Sequence, residues 1–508
     1  MAYRTTPIDT DKMPPGIPYI IGNEAAERFS FYGMRAILTV FMTSHLFAAD
    51  GTADFMSAAE ASKIQHWFLA AAYFTPLLGA FLADGLFGKY PVIIALSLFY
   101  CLGHGVLALM DVPEMVGLEP RYLLYIGLTL IAIGAGGVKP CVSSHVGDQF
   151  GRRNANLLEK VYGWFYISIN VGAAISQLLT PWVLAKYGAG WAFGIPGVLM
   201  AIATFIFWLG RKEFAHVPPS KEAFGKELKD PENRRIILRL VPLYIFIVAF
   251  WMIFDQTSTR WVVQAKDLDR EVSFITAENE VTAEYPAPEG ANVQTRDDGS
   301  QFYVGPLQVL PSQLQAVNPI YILVFVPFMS VVLFPFLSRF MKVTPLRKIG
   351  FGLALTGVAF AVTGLAQQAI DSGGKPHITW QIVAYAVLTF AEVLVSVTSL
   401  EFSYTQAPKS WKSLIMGIYF LSVGSANLLV AQVNHYIEAK REAGEQVLAG
   451  ADYYWFFAGV MAAAAVAFVL WSLTYKYREG LDGMGPGEAG RAVPLDSGRD
   501  GMAAPDEG

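Results

Sequence analysis

Long apolar runs separated by short polar stretches make up most of this 508-residue chain. Each run has about 20 residues or more, the length that an α-helix needs to cross the hydrocarbon core of a bilayer. The runs form two groups of six, divided by a longer polar stretch. They lie at 18–46, 64–86, 91–110, 121–145, 160–187 and 190–210, and then at 237–263, 316–340, 346–368, 378–406, 412–437 and 452–475. The pattern predicts an all-α membrane protein of twelve transmembrane helices in two six-helix bundles.

The chain between these helices is polar, and it sets the domain boundaries. We expect an N-terminal segment 1–17, a first bundle 18–210, a linker 211–236, a second bundle 237–475 and a tail 476–508. The second bundle contains an acidic insertion, 264–315, whose alternating apolar positions suggest a small hairpin. The tail is rich in Gly, Ala, Pro and Asp, a composition typical of disordered chain.

Composition supports the membrane interpretation. Hydrophobic residues make up 54% of the chain and charged residues 16%, with a mean hydropathy of +0.40. Soluble domains carry about 25% charged residues, so this chain has apolar surface where a soluble protein has charge. Both cysteines, Cys101 and Cys141, lie in apolar runs, which argues against a disulfide framework or a cysteine metal site. The polar N-terminus leads into a long helix, so no cleaved signal peptide is expected.

Basic residues indicate which side of the membrane each loop faces. They concentrate in alternate loops, from the second to the tenth, whereas the remaining loops are acidic or neutral. The basic set is Lys89; Arg152, Arg153 and Lys160; Arg211, Lys212, Lys221, Lys226, Lys229, Arg234 and Arg235; Arg339, Lys342, Arg347 and Lys348; and Lys409 and Lys412. Because cytoplasmic loops carry the excess of Lys and Arg, both termini are expected in the cytoplasm. The protein is expected to be a multi-pass protein of the cell (inner or plasma) membrane.

The first predicted helix carries charges at the depth of the bilayer. Glu24, Glu27, Arg28 and Arg35 fall on one narrow face, with Tyr32 at its edge. A charge at the bilayer centre costs at least about 2.5–3.5 kcal/mol on insertion scales, so these residues need partners or a water-filled cavity. A structural ion-pair cluster would account for the stripe, but further polar residues in other helices favour a functional site.

These further residues form a dipolar set. They are His66 and Tyr73 in helix 2, Lys139 in helix 4, Tyr166 and Asn170 in helix 5, Trp251 and Asp255 in helix 7, Asn318 in helix 8 and Glu392 in helix 10. The first six helices carry the surplus cations and the last six carry the anions. A zwitterionic substrate would fit between two such halves, with aromatic side chains against it. Buried carboxylates suggest proton coupling, although a histidine placed like His66 near a helix end is more often interfacial.

Three stretches resemble a known family. Glu24-x-x-Glu27-Arg28-Phe29, Phe165-Tyr166-x-x-Ile169-Asn170-x-Gly172 and Asp84-x-x-x-Gly88-Lys89 are similar to motifs of the proton-dependent oligopeptide transporters of the major facilitator superfamily. The similarity covers residues 18–475. Stretches around Lys139 and Asp255, and Leu400–Pro408, resemble the animal-type members in particular, in which His66 occupies the position of a coupling histidine.

The resemblance implies roles for individual residues. Peptide binding would fall to Arg28, Tyr32, Arg35, Tyr73, Lys139, Tyr166, Asn170, Trp251, Asp255, Asn318, Glu392 and Tyr419. Proton coupling would fall to Glu24, Glu27, Arg28, His66, Lys139 and Glu392, and conformational gating to Asp84, Lys89 and Arg239. Arg35 and Lys139 would hold the peptide carboxylate, and Asn318 and Glu392 its amino end. Without peptide, Lys139 would pair with the glutamates of helix 1.

The sequence departs from the family pattern at three positions. Ser330 stands where animal-type members have the aspartate that pairs with the arginine at Arg239. Phe31 stands where many members have Tyr, and Tyr419 where many have Trp. The linker is polar, which leaves no place for the two extra helices that many bacterial members have between their bundles.

The sequence therefore predicts a proton-coupled symporter that imports di- and tripeptides by alternating access. Its partners would be peptides, protons and the lipid bilayer, with no nucleic acid, no metal and no cofactor other than the coupling proton, and we expect a monomer. A relative that carries nitrate or another small anion or zwitterion is the alternative within the family. No metal-ligand cluster or nucleophile motif points to an enzyme, and a receptor or scaffold would not need titratable residues in both halves.

Overall fold

The computed structural model describes residues 3–219, 231–281, 287–288, 290–296, 299–406 and 412–475. The predicted tail 476–508 and the middle of the predicted linker, 220–230, lie outside the described residues. The first bundle contains α1 Ile17–Val40, α2 Ala58–Phe87, α3 Lys89–Asp111, α4 Pro120–Gly147, α5 Ala155–Tyr187 and α6 Ala189–Lys212. These helices fall at the six positions that the apolar runs predict.

The second bundle follows the same plan. Its helices are α7, made of Pro231–Phe254 and Arg260–Lys266 joined by a 3-10 turn; α8 Pro311–Leu337; α9 Pro345–Asp371; α10 Thr379–Ser403; α11 Lys412–Glu442; and α12 Ala451–Thr474. The last part of α10 is a short helix, Thr398–Gln406, which extends it to Gln406. Within the described ranges, ten of the twelve helices are long and apolar enough to cross a membrane, and α1 and α11 are the two outside that set. Helix α1 differs from these ten in carrying four charged residues, Glu24, Glu27, Arg28 and Arg35.

Small residues let the helices of the first bundle approach closely. A Cβ atom at Gly136 of α4 would overlap the side chain of Thr75 in α2, and one at Gly134 would lie 2.7 Å from the backbone of α3 at Tyr100. Thr75 also bonds across this contact to the carbonyl of Ala132, at 2.8 Å. Close approach of backbones through small residues is the usual way that helices associate in lipid, where the hydrophobic effect does not drive them together.

The two bundles meet along α2 and α11 and along α5 and α8. The N-terminal segment lies against the loop between α4 and α5 and against the end of α6. Asn154 donates a hydrogen bond to the carbonyl of Lys12, and Arg4 donates one to the carbonyl of Glu213. We call this end of the molecule the terminal side and the opposite end the far side. Hydrogen bonds between the bundles cluster in the far-side half, which includes the second half of α1 and the first half of α2.

The insertion between α7 and α8 forms a three-stranded antiparallel sheet on the far side, one strand more than the predicted hairpin. Strands β1 Glu271–Val281, β2 Val293–Thr295 and β3 Gln301–Gln308 are arranged in the order β1-β3-β2. The alternation noted at 272–276 and 302–304 lies in β1 and β3, which pair with a bulge between Val272 and Thr276. Glu280 contacts Lys186 of α5 at 3.1 Å, and the carbonyl of Glu271 contacts His377 before α10 at 2.9 Å. The sheet therefore touches both bundles.

Candidate substrate and proton site

Two carboxylates of α1 share one arginine. Arg28 Nε lies 2.6 Å from Glu24 Oε1 and 3.2 Å from Glu27 Oε2. The spacing of four residues places Glu24 and Arg28 one turn apart on the same helix face. Both glutamates are completely buried, so Arg28 is the group that neutralises part of their charge. The cluster keeps one more carboxylate than cation and can therefore accept a proton.

Lys139 lies beside this cluster but does not bond to it. Its ammonium stands 3.6 Å from the ring centre of Phe31 and 4.8 Å from that of Tyr73, in cation–π geometry. The predicted pairing of Lys139 with the glutamates is absent from the described ion pairs, because Arg28 occupies both carboxylates. The close packing of α4 on α2 brings Lys139 toward Tyr73, and the glutamates still act on it electrostatically.

A second cluster joins the bundles on the far side. Arg35 donates to Asp255 Oδ1 at 2.7 Å, and Asn427 of α11 donates to the other carboxylate oxygen at 2.7 Å. The amide oxygen of Asn427 accepts from His66 Nδ1 at 2.7 Å, and Thr259 lies 3.2 Å from His66 Nε2. All of these side chains are nearly or fully buried. The chain of contacts runs from α1 through α7 and α11 to α2.

The break in α7 creates acceptors for this cluster. Asp255–Ser258 form a 3-10 turn, and Thr259 leaves helical conformation at φ −125° and ψ −86°. The freed carbonyl of Ser258 accepts from Gln65 Nε2 at 3.1 Å and lies 2.8 Å from Thr39 Oγ1. Sequence analysis missed Thr39, Gln65, Ser258, Thr259 and Asn427. Uncharged polar residues are common bonding groups between membrane helices, so their sequence gives no signal that separates these five from others.

Glu392 is held within the second bundle. Asn318 of α8 donates to its carboxylate at 2.8 Å and lies 3.0 Å from Thr389. Glu392 and Asn318 are both partly exposed, unlike the glutamates of α1. Tyr166 of α5 packs against the apolar cluster that contains Val393 and Leu394, the residues next to Glu392. This carboxylate therefore lies near the interface with the first bundle.

The remaining predicted binding residues occupy the same region with fewer contacts between the bundles. Tyr73 stacks on Phe420 of α11, with ring centres 6.1 Å apart. Trp251 packs against its neighbours in α7, Phe250 and Phe254, and Tyr419 is 6% exposed in the hydrophobic core of the second bundle. The amide of Asn170 donates to the carbonyl of Tyr166 in its own helix, at 3.0 Å.

The predicted gating residues lie toward the terminal side. Lys89 forms an ion pair with Asp148 at the end of α4, at 2.7 Å. The side chain of Asp84 lies outside the described residues. Arg239 and Ser330 are both exposed, and the predicted gating role of Arg239 stays a prediction.

The arrangement combines three chemical properties. It has a buried carboxylate pair that can take up a proton, and a charged contact between the bundles that must break if the far side opens. It also has opposite charges on the two bundles. Among the described residues, no group of His, Cys, Asp and Glu is suited to hold a metal ion.

Comparison with known proteins identifies the family and supports the fold. The sequence model of the POT family matches residues 90–230, 224–281 and 300–455. The crystal structure of the POT family transporter PepTSo superposes with a TM-score of 0.76 at 34% identity, over 91% of this chain and 99% of that chain. The structure of a proton dependent oligopeptide (POT) family transporter gives a TM-score of 0.68 at 35% identity, over 89% and 100%.

The alignments with relatives from animals cover a smaller share of both chains than these two structures do. Peptide transporter 3 of Caenorhabditis elegans is 31% identical over 400 residues, which are 70% of this chain and 51% of the relative. Solute carrier family 15 member 2 of Homo sapiens is 31% identical over 427 residues, 76% of this chain and 53% of the relative. The chain thus spans about half the length of the curated relatives that it matches. The matches in sequence and in fold together show that this integral, multi-pass membrane protein belongs to the POT family, a family of transporters rather than enzymes.

Proposed function

We propose that the protein imports di- and tripeptides together with protons, by alternating access of one site between its two bundles. The observation that carries the proposal is the separation of charge. Arg28, Arg35 and Lys139 stand in the first bundle, and Asp255 and Glu392 in the second. A peptide has a carboxylate at one end and an ammonium at the other, so it can bridge the bundles at their interface, where such transporters bind substrate.

The direction of access follows from the contacts between the bundles. These contacts cluster on the far side, which the distribution of basic loops assigns to the outside. The arrangement supports a form whose site is open toward the cytoplasm. In the opposite form, the Arg35–Asp255 contact would separate, and both side chains would be free to meet water or substrate.

The carboxylates of α1 are the proposed proton carriers. Glu24 and Glu27 share Arg28 in a buried setting, where protonation of one glutamate removes the excess negative charge. A charge held at the bilayer centre costs at least about 2.5–3.5 kcal/mol, so protonation is an inexpensive way to neutralise it. Glu392 is a further candidate, because it meets both the proposed peptide amine and Asn318.

Uptake of labelled dialanine into proteoliposomes tests the proposal directly. Uptake should rise when an inward proton gradient is imposed, and collapse of the gradient should abolish accumulation. A sodium gradient without a proton gradient serves as the matched control and should give none. Undiminished uptake without a proton gradient would contradict proton coupling.

Competition by blocked peptides tests how the substrate is recognised. Loss of one partner of a buried charge pair costs roughly 2–5 kcal/mol, about thirty-fold or more in affinity, so amidated and N-acetylated dialanine should both compete poorly. Lys139→Ala should weaken discrimination against the amide, and Glu392→Gln discrimination against the acetylated form. Equal competition by free and blocked peptides would favour the alternative, a family member that carries nitrate or another small ion.

A further inference from the structure

The interior of the first bundle contains polar atoms that have no hydrogen-bond partner among the residues that the structure describes. One group of them consists of both amide atoms of Asn23, one carboxylate oxygen of Glu24, both of Glu27, the hydroxyls of Ser97 and Tyr100, and Nε2 of His104. Of these atoms, Oε2 of Glu27 is in ion-pair contact with Arg28. All six residues are at most 1% exposed. This group lies apart from the Arg35 cluster, and the proposed mechanism uses only its two glutamates.

The spacing of these residues places them on two stripes, one on α1 and one on α3. Asn23, Glu27 and Ser30 lie four and three residues apart on α1, and Ser97, Tyr100 and His104 lie three and four apart on α3. Residues at such spacings share one helix face. Each stripe therefore presents a column of polar groups to the interior of the bundle.

Helix α6 joins the two stripes. Ser30 of α1 donates to the carbonyl of Pro196 at 2.6 Å, and His104 of α3 contacts the carbonyl of Phe193, one turn earlier, at 3.0 Å. The rings of Tyr100 and His104 lie 5.2 Å apart. The charges of Glu27 and Glu24 act on the Tyr100 phenol, which places the α3 stripe within electrostatic reach of the carboxylates.

A dry interior would leave these groups unsatisfied together. A buried polar group without a partner is expensive, and native interiors seldom contain several at one place. Buried water resolves the problem, since one molecule typically makes about three hydrogen bonds to otherwise unsatisfied groups. We propose that internal water molecules occupy the space between α1, α3 and α6 and link Glu27 to His104 past the Tyr100 hydroxyl.

The bonding of His104 makes it the proton acceptor at the end of this link. A carbonyl oxygen only accepts, so Nδ1 of His104 carries the hydrogen directed at Phe193. In the neutral ring, Nε2 is then a bare acceptor that faces the interior. A proton that leaves the Glu27 carboxylic acid can pass through water to Nε2, giving a carboxylate and an imidazolium.

Several charged or titratable groups set the energy of that transfer. Helix α1 contributes Glu24, Glu27 and Arg28, and α3 contributes Tyr100, Cys101 and His104. Helix α4 contributes Lys139. Helix α6 contributes Thr204, which does not titrate. The role of His104 in coupling rests on the proposed proton-driven transport. The water cluster itself does not, so the two are tested separately.

Hydroxyl-radical footprinting of the protein in lipid nanodiscs tests the water. Radiolysis of bound water labels adjacent side chains even when they are buried, so Tyr100 should be labelled. Phe250 and Phe360 are also 0% exposed but lie in the hydrophobic core of the second bundle. They are the matched controls and should not be labelled. Labelling of Tyr100 no stronger than that of these two residues would overturn the water cluster.

The pH profile of gradient-driven uptake tests His104. His104→Gln keeps a donor for the Phe193 carbonyl but cannot be protonated, so the profile should shift while counterflow exchange persists. His145→Gln, in which another buried histidine of the same bundle is changed, should leave the profile in place. Tyr100→Phe removes one hydroxyl from the link, and it should shift the profile in the same direction as His104→Gln.

An unchanged profile in both the His104 and Tyr100 variants would overturn the role of His104, even if footprinting finds water. If the unaltered protein shows no proton-driven uptake, the proposed function fails, and footprinting still decides whether the water cluster exists. A His104 variant that does not fold leaves the decision to Tyr100→Phe, which retains the ring and its packing.

Discussion

The contact between Arg35 and Asp255 should hold the far side of the molecule closed. Asp255 is 1% exposed and receives hydrogen bonds from Arg35 in the first bundle and Asn427 in the second. Replacing Asp255 by Asn removes its charge but keeps its shape and one acceptor oxygen. Arg35 then stays buried without a counter-charge in the closed form, whereas it can be hydrated when the far side opens. We therefore expect Asp255→Asn to shift the population toward the form with an open far side.

The magnitude follows from the burial of the pair. Removing one partner of a buried ion pair costs about 3–5 kcal/mol, because the remaining charge is uncompensated. Asparagine retains part of the hydrogen bonding, so the penalty on the closed form should be about 2–4 kcal/mol on the same scale. Each 1.4 kcal/mol is tenfold in an equilibrium constant, so the ratio of closed to open forms should fall roughly thirty- to several-hundred-fold.

Electron–electron distance measurements between spin labels on the far-side ends of α2 and α11 would detect this shift. Asp54→Asn is the matched control, because Asp54 also forms a far-side ion pair, with Arg121, but both residues belong to the first bundle. That variant should leave the distances unchanged. A folded Asp255→Asn protein with the distance distribution of the unaltered protein would refute the closing role of the pair.

Three further predictions address coupling, packing and the far-side sheet. Glu27→Gln should abolish gradient-driven accumulation of peptide yet preserve some counterflow, and equal loss of both would make Glu27 structural or a direct ligand. Gly136→Ala should lower the thermal stability of the purified protein, because its Cβ would overlap Thr75, whereas Gly163→Ala, with open space around it, should not. Replacing the sheet, residues 271–308, by a brief linker should leave dipeptide affinity within a few-fold, since the sheet contains none of the candidate-site residues and loops of this kind tolerate change well. Loss of peptide binding in a folded, shortened protein would assign the sheet a role in gating.

The apolar runs predict the fold well because the bilayer imposes a length on each helix. Helix boundaries agree to within six residues in every segment; α2 is one of the larger differences, since it begins at Ala58 and the apolar run begins at 64. The first turn of α2 is polar, and it forms because Ser57 caps the helix by accepting from the backbone of Glu60. Hydrophobicity alone cannot predict a helix turn that lies outside the lipid.

The charged side chains of the candidate site could be picked out from the sequence, but their partners could not. A charge in an apolar run is conspicuous, so Arg35 and Asp255 are both predicted. The sequence does not show that Arg35 contacts Asp255 across the bundles, or that Phe31 faces Lys139. These contacts depend on how the helices are rotated and on the break in α7, and both are fixed by packing among many residues.

Helix α1 brings these contacts together, and this has a consequence for coupling. Arg28 is shared by Glu24 and Glu27. The charge of Arg28 also acts on the Tyr32 phenol, as do the charges of Arg35 and Glu392. Protonation of Glu27 would leave Arg28 with one carboxylate fewer and so increase its attraction for the carboxylate of a peptide. Coupling free energies are reciprocal, so a bound peptide must then favour protonation of the α1 pair by the same amount. Proton uptake and peptide binding can therefore support each other through one shared arginine, without movement of either bundle.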